Sequence, residues 1–96
     1  MGAGKITTVQ VRITGLVQGV GFRAWTEKAA RARGLSGWVR NRRDGSVEAI
    51  ISGPDDKVTD LLAYLWQGPT ACRVDKVDAV PAPPPMQLGF RTLPTA

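Results

Sequence analysis

Trp38-Val39-Arg40-Asn41-Arg42-Arg43-Asp44-Gly45-Ser46-Val47-Glu48-Ala49-Ile50-Ile51 reads as a β-hairpin near the centre of a 96-residue chain. Asp44-Gly45 is a strong hairpin signal, because the favoured two-residue turns need positive φ. A short strand over residues 36–41 leads into it. Val47, Ala49 and Ile51 alternate along the return strand. On the N-terminal side, Phe22, Trp25, Ala29 and Ala32 recur at helical spacing, and Gly34 supplies a stop. So much Ala on the inner side predicts a helix lying close on a sheet. Before it, Val9, Val11 and Ile13 alternate with Gln10, Arg12 and Thr14, the pattern of a half-buried strand. On the C-terminal side, Gly53-Pro54-Asp55-Asp56 starts a second helix, with Pro in the first turn and early carboxylates at the positive end. Val58, Leu61, Leu62 and Leu65 form its apolar stripe, and Gly68-Pro69 ends it. Residues 73–80 read as a strand with a bulge. Pro81 to Pro85 reads as an extended surface connection, and residues 88–93 as a short edge strand.

The order is β-α-β-β-α-β, which predicts an α+β, ferredoxin-like α/β sandwich: an antiparallel sheet with two helices on one face. Residues 1–96 are expected to form a single domain of this kind. The topology sets strand one beside strand three, with strand two on the far side of strand three. The loop after strand one and the end of strand two then emerge at one edge. Neighbouring strands are ~4.8 Å apart, so these two places are expected roughly 10 Å apart.

Composition narrows the chemistry. The chain has 13 Lys+Arg, 8 Asp+Glu, no His and one Cys. Without His, neither a Ser-His-Asp nor a Cys-His set can form. With one Cys besides, a zinc site is not expected. Lone Cys72 makes no internal disulfide, which fits a reducing cytoplasm, and it reads as a small packed hydrophobe. No apolar run approaches the ~18 residues of a membrane span, and Met1 to Thr8 lack the features of a secretory signal. The net charge of +5 is concentrated. Residues 23–43 hold seven basic residues against Glu27 alone, while the rest holds six basic and seven acidic. A localised positive field suits an anionic partner, although solvated helix and hairpin charges give the same count.

Gly15-Leu16-Val17-Gln18-Gly19-Val20-Gly21-Phe22-Arg23 joins the first strand to the first helix. Glycines let the backbone approach a ligand, and successive N–H groups can converge on an anion at the positive helix end. Arg23 adds a planar charged fork that matches phosphate oxygens. The loop lacks Gly-Lys-Ser/Thr, so it is not a P-loop. Gly19-Val20-Gly21-Phe22-Arg23-Ala24 matches a dinucleotide fingerprint, but 96 residues cannot build a doubly wound domain. An RNA-recognition module would share the strand order, yet Ser46 to Ile51 offers no stacking aromatic. A non-catalytic anion binder keeps the same loop.

Residues 15–23 resemble the first signature of the acylphosphatases, GxVQGVxFR. Residues 34–48, Gly-Leu-Ser-Gly-Trp-Val-Arg-Asn-Arg-Arg-Asp-Gly-Ser-Val-Glu, resemble the second, GxxGWVRNxxDGSVE. Gly68-Pro69 with Ala71, Val74 and Val77 is similar to a third landmark, and the resemblance spans about residues 9–92. The run Pro81-Ala82-Pro83-Pro84-Pro85 is richer in proline than the family pattern. A similar domain opens the much longer maturation protein of nickel-iron hydrogenases; this chain is a better match to the free-standing enzyme. The resemblance implies hydrolysis of acyl phosphates to a carboxylate and inorganic phosphate. It implies that Arg23 binds the phosphate, with the loop of Leu16, Val17, Gln18, Gly19, Val20, Gly21 and Phe22, and that Asn41 positions the attacking water.

That chemistry suits a chain without His. The leaving carboxylate has a pKa near ~4 and departs unprotonated, so no strong general acid is required. Holding the phosphoryl group, balancing its charge and aiming a water remain. Asn41 offers one acceptor and two donors for the last task; hairpin Asn residues also serve as turn formers. Gln18 reads either as a ligand contact or as a brace of the loop. Trp25, Trp38 and Trp66 read as packing residues, and Arg42 and Arg43 either as steering charges or as solvated ones. The expectation is a cytoplasmic monomer acting on a small molecule, with no cofactor, metal, nucleic acid or membrane partner.

Overall fold

A computed structural model describes residues 5–96. Met1 to Gly4, half of the stretch read for a signal, lie outside the described residues. The elements are β1 (Ile6–Leu16), α1 (Phe22–Ala32), β2 (Ser36–Asn41), β3 (Val47–Pro54), α2 (Asp55–Leu65), β4 (Arg73–Pro81) and β5 (Phe90–Thr92). The sheet order is β4-β1-β3-β2-β5. β3 therefore lies between β1 and β2, as the strand pattern predicts.

The edge strand β5 alters one expectation. It runs parallel to β2, with Gly37 opposite Phe90, so the sheet is mixed rather than wholly antiparallel. A parallel neighbour needs a crossover connection. The proline-rich segment supplies it: Pro83, Pro84 and Pro85 line a groove with Trp38 and Ile50, on the sheet face that carries no helix. That segment crosses from the β4 edge to the β2 edge, and Pro81 ends an edge strand, where its missing N–H costs no ladder bond.

One layer of side chains fills the space between sheet and helices. Val11 and Ile13 of β1, Val39 of β2, and Val47, Ala49 and Ile51 of β3 are buried there. α1 contributes Phe22, Thr26, Ala29 and Ala30, and α2 contributes Val58, Leu61 and Leu65. The α1 face is thus rotated from the expected stripe. Ala32 is exposed. Trp25 is half-buried and stacks on Tyr64 at 4.5 Å between ring centroids. Thr26 and Ala30 take the inward positions because small side chains let the helix lie close on the sheet. Pro54 stands at the N-cap of α2 rather than inside its first turn. Thr7 Oγ1 then donates to Asp55 in that turn at 2.6 Å. Cys72 is half-buried beside the core, its Sγ 3.6 Å from the Gln67 carbonyl.

The bulge forms where β1 meets β4. Thr14 opposes Lys76 and Gly15 opposes Val74, which leaves Asp75 unmatched. Gly15 adopts φ +126°, and a Cβ there would stand 2.1 Å from the Arg73 carbonyl oxygen. Only glycine lets β1 turn out of the sheet so close to its neighbour.

Candidate active site

β1 hands the chain to α1 through residues 17–21. Val17 tucks into the core, which pins the loop's first residue. Gly19 and Gly21 both have positive φ, and Gly21 is the N-cap of α1, in the left-handed region at φ 79° and ψ 18°. A glycine cap brings no side chain to satisfy the first-turn amides, and that turn carries no acidic residue. The helix N-terminus therefore presents free N–H groups and an unneutralised positive end.

A cleft of about 510 Å³ opens at this helix end. Of the residues singled out in the sequence, Val17, Gly19, Gly21, Phe22, Arg23 and Asn41 line it. Leu16 at the end of β1, and Gln18 and Val20 in the loop, do not line the cleft. Leu16 is 59% exposed, and Val20 packs against the core. Ala24, Glu27, Lys28, Arg31 and Thr92 complete the wall. Sequence patterning missed Glu27 and Thr92. They meet because β5 lies by α1, and Thr92 Oγ1 donates to Glu27 Oε1 at 2.6 Å. A three-residue strand after a proline run carries no periodicity that would foretell this.

The basic cluster separates into committed and uncommitted charges. Arg31 pairs with Glu27 at 3.3 Å and Arg33 with Asp60 at 2.7 Å. Arg40 and Arg42 share Glu48 at 2.9 and 3.3 Å. Arg23, Lys28 and Arg43 have no carboxylate partner among the described residues. Arg23 is thus the uncommitted guanidinium at the mouth of the glycine loop.

Asn41 ends β2 on the far side of β3, yet it faces the same cleft. Its backbone is held from two sides. It pairs with Val47 in the ladder, and its carbonyl accepts from Ala96 N–H at 3.0 Å. Its side chain makes no hydrogen bond among the described residues, and Oδ1 is buried without a partner. Unpartnered buried amide oxygens are rare because each costs desolvation energy, and they concentrate where a ligand or water completes them.

The hairpin beyond Asn41 is stiffened by its own carboxylates. Asp44 Oδ1 accepts from the Ser46 hydroxyl at 2.6 Å and from Ser46 N–H at 2.9 Å. These bonds, the hydroxyl's first, hold the Asp44 carboxyl below its ordinary range. Burial works to raise the Glu48 carboxyl, but hydrogen bonds from Arg40 and Gln10 and the charges of Arg40 and Arg42 outweigh it and hold it low. Both carboxylates stay ionised, as their roles as acceptors require.

Comparison with known proteins agrees with the geometry. The acylphosphatase family model matches residues 9–92. The chain is 48% identical to the acylphosphatase of Rhizorhabdus wittichii over 86 residues, covering 90% of this chain and 87% of that one. It is 47% identical to the acylphosphatase of Rhodospirillum rubrum over 88 residues, covering 92% and 97%. Among solved structures, an acylphosphatase from Coxiella burnetii superposes with a TM-score of 0.88 at 34% identity, covering 92% of this chain and 93% of that one. A chain with this sheet order, this glycine loop and these relatives belongs to the acylphosphatase family.

Proposed function

We propose that Arg23, the amide groups of loop 16–22 and Asn41 carry the acyl phosphate hydrolysis expected of an acylphosphatase. The reaction cleaves the carboxyl–phosphate bond of a mixed anhydride and yields a carboxylate and inorganic phosphate. The observation that carries the reading is a juxtaposition. An uncommitted guanidinium, free helix-end amides and an Asn side chain without a partner line one cleft.

Phosphoryl transfer asks for positioning and charge complementarity. The transferring phosphoryl group spreads negative charge over three oxygens. Loop amides and the first turn of α1 supply oriented N–H dipoles to them. Arg23 supplies a fork of donors that stays charged throughout. Asn41 holds a water by accepting a hydrogen bond from it at Oδ1, which leaves an oxygen lone pair aimed at phosphorus. Attack forms the new P–O bond as the P–O bond to the acyl group breaks. The electron pair leaves with the carboxylate, and the water's proton passes to a phosphate oxygen. Ala24, Glu27, Lys28 and Arg31 line the same cleft, and in this reading the acyl group lies against them.

We read the chain further as a cytoplasmic monomer that uses neither nucleic acid nor membrane. Its lone Cys72 suits a reducing compartment. β3, the strand an RNA reader would furnish with aromatics, has none. Benzoyl phosphate hydrolysis by the purified protein tests the activity. Turnover well above background is expected; none above background overturns it. Nucleic-acid binding at physiological salt with no turnover would favour the binding-module reading instead.

A further inference from the structure

We propose that Gln18 is a positioning residue, whose side-chain amide sets the place of Asn41 relative to the phosphate loop. The proposal rests on the role given to Asn41 above. Gln18 sits between Val17 and Gly19, two residues that line the cleft, but does not line it itself. Nε2 donates to the Arg42 carbonyl at 2.7 Å and to the Ser46 carbonyl at 2.8 Å. Those carbonyls form the neck of the β2–β3 hairpin, where Arg42 N–H also donates to the Ser46 carbonyl at 2.8 Å. Arg42 is the residue directly after Asn41.

The loop and the hairpin neck need such a link. β3 lies between β1 and β2, so no ladder joins the two catalytic segments. Among the described residues, no backbone hydrogen bond joins 17–21 to 41–46. The Gln18 amide spans that gap, with both of its hydrogens engaged, one on each carbonyl. A primary amide is the neutral group that offers two donors from one atom. Its oxygen is left over, and the phosphate loop keeps its own N–H groups for the substrate. In-line attack tolerates little displacement: a shift of about 1 Å in a positioning group costs about 10²-fold in rate. Loss of the link is therefore expected to disturb the aim of the water more than the hold on phosphate.

Gln18→Met keeps length and removes the donors. It is expected to lower kcat about tenfold, with KM and the inhibition constant of inorganic phosphate unchanged within about threefold. In an Asn41→Ala background it is expected to cost less than about threefold, because residues acting through one another are not additive. A kcat kept within about threefold in the single variant overturns the proposal. So does a loss as large in the Asn41→Ala background as in the wild type, or a loss confined to KM and phosphate inhibition. Gln18→Asn keeps the amide but shortens its reach by one methylene. It carries the same expectations and replaces Gln18→Met if that variant does not fold. Wild-type turnover by Asn41→Ala alone defeats the Asn41 role. Impaired Asn41→Ala with unaffected Gln18 variants defeats only the Gln18 role.

Discussion

Arg40 and Glu48 face each other across the β2–β3 ladder, and Arg40 Nε donates to Glu48 Oε1 at 2.9 Å. The pair lies on the sheet face opposite the helices. Arg42 NH1 reaches the same oxygen, and Gln10 Nε2 donates to Oε2 at 2.6 Å. One carboxylate, its side chain only 8% exposed, thus ties β1 and β2 to β3 next to the Asn41 hairpin. It also withdraws two of the seven basic side chains of residues 23–43 from the surface field.

That arrangement makes stability depend on pH in a defined direction. The folded state holds the Glu48 carboxyl below its ordinary value of 4.5. A carboxyl lowered by folding contributes stability that is full above its unfolded-state value and is lost as pH falls through its lower folded-state value. Asp44 acts in the same sense. Glu48→Gln removes one such contribution. It is expected to cost about 1–2 kcal/mol at pH 7, since the arginines it leaves unpaired are partly solvated. Its stability is also expected to vary less than the wild type's as pH falls below that ordinary value. Urea unfolding at several pH values checks both. Parallel wild-type and variant curves would show that Glu48 does not titrate with folding.

Asn41→Ala separates chemistry from folding. Among the described residues the side chain bonds to no protein group, and its Oδ1 is buried without a partner. Truncation therefore leaves no other group stranded, and the melting temperature is expected to hold or rise. Turnover is expected to fall at least ~10²-fold, the scale for loss of one positioned hydrogen-bonding group. Steady-state hydrolysis of benzoyl phosphate beside a thermal melt reads both. Near-normal turnover would remove Asn41 from the reaction.

Arg23→Ala tests the phosphate cradle in a different measurement. Inorganic phosphate should bind the wild type through Arg23 and the helix-end amides, and titration calorimetry reads that directly. The variant is expected to lose about 1.5–3 kcal/mol of phosphate affinity, the worth of a charged hydrogen-bonding partner. Arg23→Lys is expected to recover only part of it, because an ammonium cannot offer a two-pronged donor. Unchanged phosphate affinity in Arg23→Ala would place the phosphate elsewhere.

The hairpin made most of the fold legible. Asp44-Gly45 and the alternation around it fix β2 and β3, and the strand–loop–helix before them fixes β1 and α1. What period-2 and period-3.6 patterns cannot express is a connection. Pro81 to Gly89 has neither, so the edge strand within residues 88–93 is legible but its parallel pairing with β2 and its contact with α1 are not. The same limit applied at the site. Arg23, Asn41 and the glycine loop stand out by residue type, whereas Thr92 enters the cleft only through the crossover. Composition also could not divide the basic residues. Only the fold reveals that Arg40 and Arg42 are spent on Glu48 while Arg23 is not. For Gln18, residue type leaves two readings open, and the hydrogen bonds from Nε2 to the Arg42 and Ser46 carbonyls support the brace.

Thr26 carries the other buried oxygen without a partner. Its side chain is fully buried on the inner face of α1, and Oγ1 has no hydrogen bond among the described residues. Unlike Asn41, it does not line the cleft. Burial removes the hydroxyl from bulk water, and no protein group among the described residues takes its place. Valine has nearly the same shape, and in a helix it populates mainly one rotamer, which limits its entropy cost. Thr26→Val should therefore stabilise the protein by about 1 kcal/mol, the lower end of the penalty for an unsatisfied buried polar group. Turnover should stay within about twofold, because the substituted atom touches neither Arg23 nor Asn41. A chemical denaturation curve with an unchanged slope and a higher midpoint is the expected result. A lower midpoint would mean that the hydroxyl does find a partner in solution, and that the inner face of α1 includes an ordered water.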